Sequence, residues 1–203
     1  MEILGFPKSR AFRALWAAEE AGLDYTFTRI EPRDTAADWF RAKNPAGKVP
    51  VLIDGDLVLY ESAAIATYLG QKVPEKGLVP PVGTPDHGRY LQHCFFVLSE
   101  LEQPLWLKAK HTFAIPRRVR VEGLEPAVAW EWDRFHAVVD KALGGRDHLV
   151  GESFTMADLL LAHTLIWGKM SGQQVSERLV AWVDVQKARP AFRRAAARER
   201  ERG

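Results

Sequence analysis

The sequence contains a single cysteine, Cys94, so no disulfide bond can form within the chain. Positive and negative charges nearly cancel, since 28 Lys and Arg residues face 26 Asp and Glu residues and the formal net charge is only +2. This balance gives no electrostatic argument for a nucleic-acid or membrane partner. The N-terminus lacks the apolar stretch of a signal peptide, and no segment approaches the length of a membrane span. We therefore expect a cytoplasmic enzyme or binding protein.

Several motifs of known chemistry are also missing. No two histidines stand four residues apart, and no Cys/His cluster has the spacing of metal ligands, so we expect no metal site. The glycine-rich loops that bind phosphates and the G-x-S-x-G nucleophile elbow are absent. Cys94 lies in an apolar run and is interpreted as a buried, inert thiol. If the chain is an enzyme, the reactive group is expected to come from a cosubstrate.

The N-terminal part of the chain alternates short strand-like and helix-like segments. Two β-rich runs surround Asp54-Gly55, which is a strong hairpin signal. Strands are predicted over residues 1–4, 25–30, 49–53 and 57–60, and helices over residues 11–21, 35–42 and 63–71. This β-α-β-α-β-β-α order predicts a compact four-stranded sheet whose first two strands are parallel.

The alternation of strand-like and helix-like segments ends at Pro74, and the proline-rich segment 80–85 is typical of a linker. No convincing strand follows. Helices are predicted over residues 86–103, 121–143, 155–172, 176–188 and 190–200, and Thr155–Asp158 resembles a capping box. The Arg/Glu-rich C-terminal tail is interpreted as a solvated helix end. We predict an α/β domain over residues 1–74, a linker over 75–85 and an all-helical domain over 86–203.

Three features of the N-terminal domain have the chemistry of a ligand site. Ser9 stands at a predicted helix N-terminus, where the helix dipole and backbone N–H groups stabilise an anion. Glu61-Ser62 begins another helix, and Val49-Pro50 opens a strand whose backbone could pair with an extended ligand. Each feature also has a simpler interpretation, because Ser9 and Glu61-Ser62 could be plain helix caps and Pro50 an ordinary strand-starting proline.

The joint pattern resembles the glutathione S-transferase superfamily over essentially the whole chain, in the form of a serine-type, bacterial-like cytosolic member. The segments that carry this resemblance are Pro7–Arg10, Asn44–Leu52, Asp54-Gly55, Glu61–Leu69 and Thr155–Asp158. The resemblance implies a thioredoxin-like α/β N-terminal domain followed by an all-α C-terminal domain. It also implies glutathione as a cosubstrate and a homodimer, with no metal.

The resemblance further assigns roles to individual residues. In such proteins the proline after Val49 is cis, and the backbone of Val49 pairs with the cysteinyl part of glutathione. Glu61 and Ser62 match the pair that holds the γ-glutamyl end. Lys48, which precedes Val49-Pro50, matches a position often found near the peptide backbone or the glycyl end.

Ser9 matches the zone of the serine that activates the thiol in serine-type members. Phe6 stands in the region where tyrosine-type members carry their hydroxyl, which disfavours that subtype. No cysteine occupies position 9 or 10, which argues against a thiol transferase. Arg10 could assist the thiolate electrostatically or form a structural ion pair.

The implied reaction is conjugation of the glutathione thiolate to a small hydrophobic electrophile entering between the two domains. Candidates for the apolar wall are Phe6, Leu98, Trp106 and Phe113, although core packing explains each equally well. Two alternatives stay open at this point. One is a non-catalytic glutathione-binding protein on the same fold, and the other is a glutathione-dependent isomerase, dehalogenase or peroxidase.

Overall fold

The computed structural model describes residues 1–201 and divides the chain into two compact units. The first unit is Met1–Pro81 together with the residues from Gln186 onward, and the second is Val82–Val185. The first contains the sheet, and the described part of the second is helical. The expected architecture, a thioredoxin-like α/β domain and an all-α domain, is therefore confirmed.

The sheet of the first unit has four strands in the order β2-β1-β3-β4. The strands are β1 (Glu2–Gly5), β2 (Thr26–Arg29), β3 (Val51–Asp54) and β4 (Leu57–Tyr60). As predicted, β1 and β2 are parallel, while β3 runs antiparallel to both β1 and β4. The register of the antiparallel strands places Leu4 opposite Val51 and Val51 opposite Tyr60.

Both faces of the sheet are covered by helices of the first unit. These are α1 (Ala11–Ala21), α2 (Asp38–Arg41) and α3 (Ser62–Gln71). On one face Leu4 and Val51 pack with Phe40 of α2. Ile3 and Leu52 alternate to the other face and are fully buried there.

The predicted helix over residues 35–42 is not continuous. A 3-10 turn over Pro32–Ala36 precedes α2, and extended backbone at Ala37 separates the two. The turn is stabilised at its start by reciprocal hydrogen bonds between Glu31 and Asp34. This local capping competes with helix continuation, and the residue pattern alone does not reveal it.

The last helix, α9 (Pro190–Arg200), packs along α1 within the first unit. The Phe192 ring meets the rings of Phe12 and Trp16 edge-on, at centroid distances of 5.1 and 4.9 Å. Arg194 Nε donates to Glu19 Oε2 at 2.6 Å. The C-terminal tail is thus helical as predicted, and its arginines are exposed as in a solvated helix end, while Phe192 packs on α1.

Arg189, the residue that precedes α9, forms a bidentate ion pair with α1. Arg189 donates from Nε and Nη2 to the two carboxylate oxygens of Glu20, at 2.6 and 2.8 Å. Because α9 belongs to the first unit, the compact units divide the chain differently from the predicted limits 1–74, 75–85 and 86–203. Those domain limits stay a prediction.

The second unit consists of helices joined by tight turns and irregular segments. Its helices are α4 (Pro85–Phe96), α5 (Gln103–Ala109), α6 (Glu125–Leu143), α7 (Met156–Met170) and α8 (Glu177–Ala188), the last of which contains the division between the units. Two π-helical segments, Val97–Leu101 and Lys110–Ala114, follow α4 and α5. The sequence pattern predicts one helix over residues 86–103 and misses α5, which begins beside Pro104, at a helix start where proline is tolerated.

A buried capping box begins α7. Asp158 accepts hydrogen bonds from the backbone N–H groups of Leu149 and Thr155, both at 2.8 Å, and from the Thr155 hydroxyl at 2.9 Å. Asp158 is fully buried, and its burial raises the pKa of the carboxyl while these bonds oppose the rise. The Thr155–Asp158 prediction is therefore confirmed, and the same carboxylate also fixes the segment before the helix.

Replacing Asp158 with alanine should destabilise the protein by about 3 kcal/mol, because two buried N–H groups lose their acceptor. Urea-induced unfolding followed by circular dichroism measures this difference. Asp86→Ala is the matched control, since its exposed pair with Arg89 contributes less than about 1 kcal/mol. Equal losses in the two variants would contradict this account of the capping box.

Cys94 lies in α4 and is 5% exposed. Burial raises the pKa of its thiol to about 12, and the Tyr90 hydrogen bond only partly opposes that rise. The predicted burial of Cys94 is confirmed, and its low reactivity stays a prediction. No other protein thiol exists to confuse a titration of a bound thiol ligand.

We expect Cys94 in the folded protein to react with a small thiol reagent at pH 8 more than about a hundredfold more slowly than free cysteine. The reason is that its thiolate fraction is suppressed and its sulfur is shielded. In guanidinium chloride the reaction should become fast. Rapid labelling of the folded protein, counted by mass spectrometry, would disprove this expectation.

Candidate active site

The sheet register brings the three predicted site features to the same end of three neighbouring strands. Leu4, Val51 and Tyr60 form one row across β1, β3 and β4. The loop over residues 6–10 continues β1 beyond this row, residues 48–50 precede β3 at the same end, and residues 61–62 follow β4 there. Antiparallel pairing therefore brings together segments that are up to about fifty residues apart in the sequence.

The loop between β1 and α1 has a constrained backbone. Gly5 ends the strand, and a Cβ atom at this position would overlap the side chain of Ala11, so α1 requires glycine there for its close approach. Lys8 adopts a left-handed conformation with φ of +60°, which is uncommon for a residue with a side chain. The conformation of this loop determines where Ser9 lies.

Ser9 precedes the capping position of α1, which belongs to Arg10. The Ser9 hydroxyl donates to the Phe6 carbonyl at 2.6 Å and accepts from the Ala11 N–H at 3.2 Å. Ser9 is half-buried beside the positive end of the α1 dipole. The hydroxyl thus satisfies one free N–H of the first turn, as a cap would, but from one position further out than predicted.

Glu61 and Ser62 form the junction between β4 and α3. Glu61 has a φ of +73° and makes no side-chain capping bond, so simple capping does not explain this pair. Its side chain is exposed, whereas Ser62 is 5% exposed at the first position of α3. The unpaired N–H groups of a first helical turn and a buried hydroxyl are suited to binding a carboxylate.

Arg13 is the functional candidate that the sequence analysis missed. It is fully buried in α1, and its Nη1 donates to Ser62 Oγ at 3.2 Å. An arginine inside the run Ala11–Ala18, on a helix that is apolar on nearly all sides, was the available signal. Because Ser62 accepts this bond, its own proton remains available for a ligand.

The peptide bond between Val49 and Pro50 is cis, as the resemblance implies. Asn44 holds the preceding loop, since its side-chain amide donates to the Lys48 carbonyl at 2.6 Å and its side-chain oxygen accepts from the Ala46 N–H. Val49 lies two residues before the paired part of β3, with its side chain against the Leu4 cluster. Lys48 is exposed and Pro50 is buried.

The remaining predicted residues fall in different places. Phe6 belongs to the first unit, where it packs partly buried against the cluster of Leu4, Ile30, Phe40 and Val51. The other three electrophile candidates, Leu98, Trp106 and Phe113, belong to the second unit. Leu98 and Trp106 are partly buried and Phe113 is 70% exposed, so core packing does not explain Phe113. The proposed apolar wall stays a prediction, as does the electrostatic role of Arg10.

Metal-binding clusters and membrane-spanning helices are both absent from residues 1–201. No group of three or more His, Cys, Asp and Glu side chains is arranged to hold a metal ion in this part of the chain. Within the same residues, every helix is too short or too polar to span a membrane.

Comparison with known proteins identifies the family. Residues 1–71 match the glutathione S-transferase N-terminal domain, and residues 103–190 match the glutathione S-transferase C-terminal domain. The glutathione S-transferase-like protein LUC7 of Fusarium sp is 33% identical over 189 residues, covering 87% of this chain and 83% of that protein. Glutathione S-transferase F7 of Arabidopsis thaliana is 31% identical, with coverage of 96% and 98%.

A structural relative agrees with these matches. A sphingomonad glutathione S-transferase complexed with glutathione has a TM-score of 0.86 and 27% identity, and the match covers 99% of this chain and 100% of that one. The resemblance drawn from the site residues and the expectation of a transferase enzyme are confirmed at the level of the family. On its fold, its two domain matches and its relatives over most of their length, the chain belongs to the glutathione S-transferase family.

Proposed function

We propose that the chain binds glutathione at this sheet edge and conjugates its thiolate to a small hydrophobic electrophile. The single observation that carries the proposal is the convergence of three segments, residues 6–10, 48–50 and 61–62, beyond one row of the sheet. Structural relatives that were solved with glutathione bound support the same ligand. The second substrate, the homodimer and the cytoplasmic location belong to the proposal as well.

The glutamyl end of glutathione carries a carboxylate and an ammonium group, and the start of α3 offers a partner for each. The Ser62 hydroxyl and the first N–H groups of α3 donate to the carboxylate, with the positive charge of Arg13 directly behind Ser62. The exposed carboxylate of Glu61 accepts from the ammonium group.

The cysteinyl part of glutathione is an extended peptide segment, and the backbone of Val49 offers it the pairing of an added strand. Val49 precedes the paired residues of β3, so its peptide groups lie outside the ladder register. Pro50 keeps this segment in a fixed direction, and Lys48 supplies a cation on the side of the glycyl carboxylate. The thiol then points towards the residues that follow β1.

Ser9 provides the hydrogen bond that stabilises the thiolate. A free thiol with a pKa of about 8.5 is only about 3% ionised at pH 7. Lowering that pKa by two units requires about 2.7 kcal/mol. A charge-assisted hydrogen bond of about 1.5–3 kcal/mol and a helix-end contribution of about 0.3–1 kcal/mol are together sufficient.

The hydrogen bond of Ser9 must change partner for this role. Its single proton is directed to the Phe6 carbonyl, so rotation of the hydroxyl exchanges that neutral bond for one to the thiolate. A bond to an ionised acceptor is roughly twice as strong as a neutral one. The exchange is therefore favourable when the thiolate is present. Without a thiolate, the hydroxyl keeps its bond to the Phe6 carbonyl.

The Ser62→Ala variant should bind glutathione about tenfold more weakly, because the buried carboxylate site loses a donor next to Arg13. Isothermal titration calorimetry measures the dissociation constant. Ser9→Ala is the matched control, since it removes a hydroxyl from the reaction centre and should change this constant less than about threefold. Undiminished binding by the Ser62 variant would remove the start of α3 from the site.

The Ser9→Ala variant should lose about 25-fold in conjugation rate at pH 7 if the bound thiol returns from a pKa of about 6.5 to about 8.5. The difference should nearly vanish at pH 9.5, where both variants carry thiolate. Initial rates over a panel of electrophiles, together with the thiolate absorbance of the bound complex, measure both quantities. A loss that is equal at every pH would contradict thiol activation by Ser9.

Product identification separates the proposed conjugation from its alternatives. A non-catalytic binding protein would bind glutathione without turnover on any electrophile. An isomerase would leave glutathione unconsumed, a dehalogenase would release halide, and a peroxidase would form oxidised glutathione. A stable thioether adduct on a hydrophobic electrophile is the expected product.

A further inference from the structure

The loop that carries Ser9 is tied to the far end of the chain. Glu199, near the end of α9, accepts a hydrogen bond through Oε1 from the backbone N–H of Lys8 at 3.1 Å, across 191 residues of sequence. Lys8 is the residue in the left-handed conformation and the neighbour of Ser9. Phe192 and Arg194 of α9 contact α1, so the carboxylate is held on a helix that is packed in place.

The loop needs such a contact because its conformation is unfavourable in isolation. A left-handed lysine costs roughly 1–2 kcal/mol relative to the right-handed or extended backbone. The local bond from the Ser9 hydroxyl to the Phe6 carbonyl spans the loop, but it is the bond that the hydroxyl must release to reach a thiolate. During that step the Glu199 contact still holds the backbone.

The charges around Glu199 offset part of the cost of burying its carboxylate. Burial raises its pKa, while the Lys8 N–H and the cations of Arg200, Lys8 and Arg29 oppose the rise. The two arginines approach from α9 and β2, and Lys8 from the loop itself. A half-buried glutamate among cations and a backbone donor is an acceptor site, not a solvated helix end.

We propose that Glu199 is a positioning residue for Ser9: it fixes the left-handed Lys8 backbone, so that the Ser9 hydroxyl meets the thiolate without a search of loop conformations. This inference rests on the proposed function. Its effect is on the fraction of molecules with a competent loop, so thiol activation should respond more than glutathione affinity. Val49, Glu61 and Ser62 lie on other segments.

The test compares Glu199→Ala with Glu199→Gln and two control variants. Glu199→Ala should lower kcat/KM at pH 7 about five- to thirtyfold and raise the pKa of the bound thiol, with the glutathione dissociation constant changed less than about threefold. Glu199→Gln keeps an acceptor oxygen and should retain most activity. Glu201→Ala, two residues further on and paired with Arg198, should behave as the unaltered protein.

Arg194→Ala separates positioning from helix docking. It removes the bonds to Glu19 but not the Lys8 contact, so it should lower stability without raising the thiol pKa. Equal effects of Arg194→Ala and Glu199→Ala on both readouts would overturn the proposal. A thiol pKa that falls in both Glu199 variants would also overturn it, because charge repulsion would then be the role of Glu199.

Lys8→Gly supplies a rescue that a purely structural role would not give. Glycine adopts the left-handed backbone without a side-chain penalty, so kcat/KM lost in Glu199→Ala should be partly restored in the double variant. Amide hydrogen exchange at Lys8 should accelerate in Glu199→Ala even without glutathione. Unchanged exchange at Lys8 in Glu199→Ala would overturn the proposal. If the protein binds no glutathione but exchange at Lys8 is still faster in this variant, the proposed function is overturned and the loop contact is established.

Discussion

The site depends on the antiparallel pairing of β3 with β1 and β4. Because Leu4, Val51 and Tyr60 share one row, the chain leaves or enters the sheet three times at the same end. A slip of one residue would turn Val51 away from Phe40 and would displace residues 48–50 from the Ser9 loop. The burial of the Leu4 cluster therefore enforces the alignment on which the proposed chemistry relies.

The α1 helix connects this alignment to the ligand site. It is buried on nearly all sides, yet it carries Arg13 towards Ser62 at one end and Glu20 towards Arg189 at the other. Both of these charged side chains have a hydrogen-bond partner, as a low-dielectric environment requires. The position of α1, which is held by C-terminal residues, thus determines where both halves of the proposed glutathione site lie.

Much of the fold was accessible from sequence because its signals are local. The β-rich runs around the Asp54-Gly55 turn located β4 to the residue, and Thr155 with Asp158 marked the start of α7. The site motifs were also local, and the register then brought them together. What the sequence did not reveal involves partners that are distant along the chain. Arg13 lies beside Ser62 only because α3 packs on α1, and no spacing rule links Lys8 to Glu199.

The docking of α9 on α1 has a consequence for how the protein is made. Phe12 and Trp16 are covered in part by Phe192, a residue encoded near the end of the chain. During synthesis the first unit can form its sheet early, but this aromatic cluster stays open until α9 has left the ribosome. The first unit is therefore begun early in synthesis but completed only when α9 has been made, and the Lys8 loop gains its Glu199 contact at that stage.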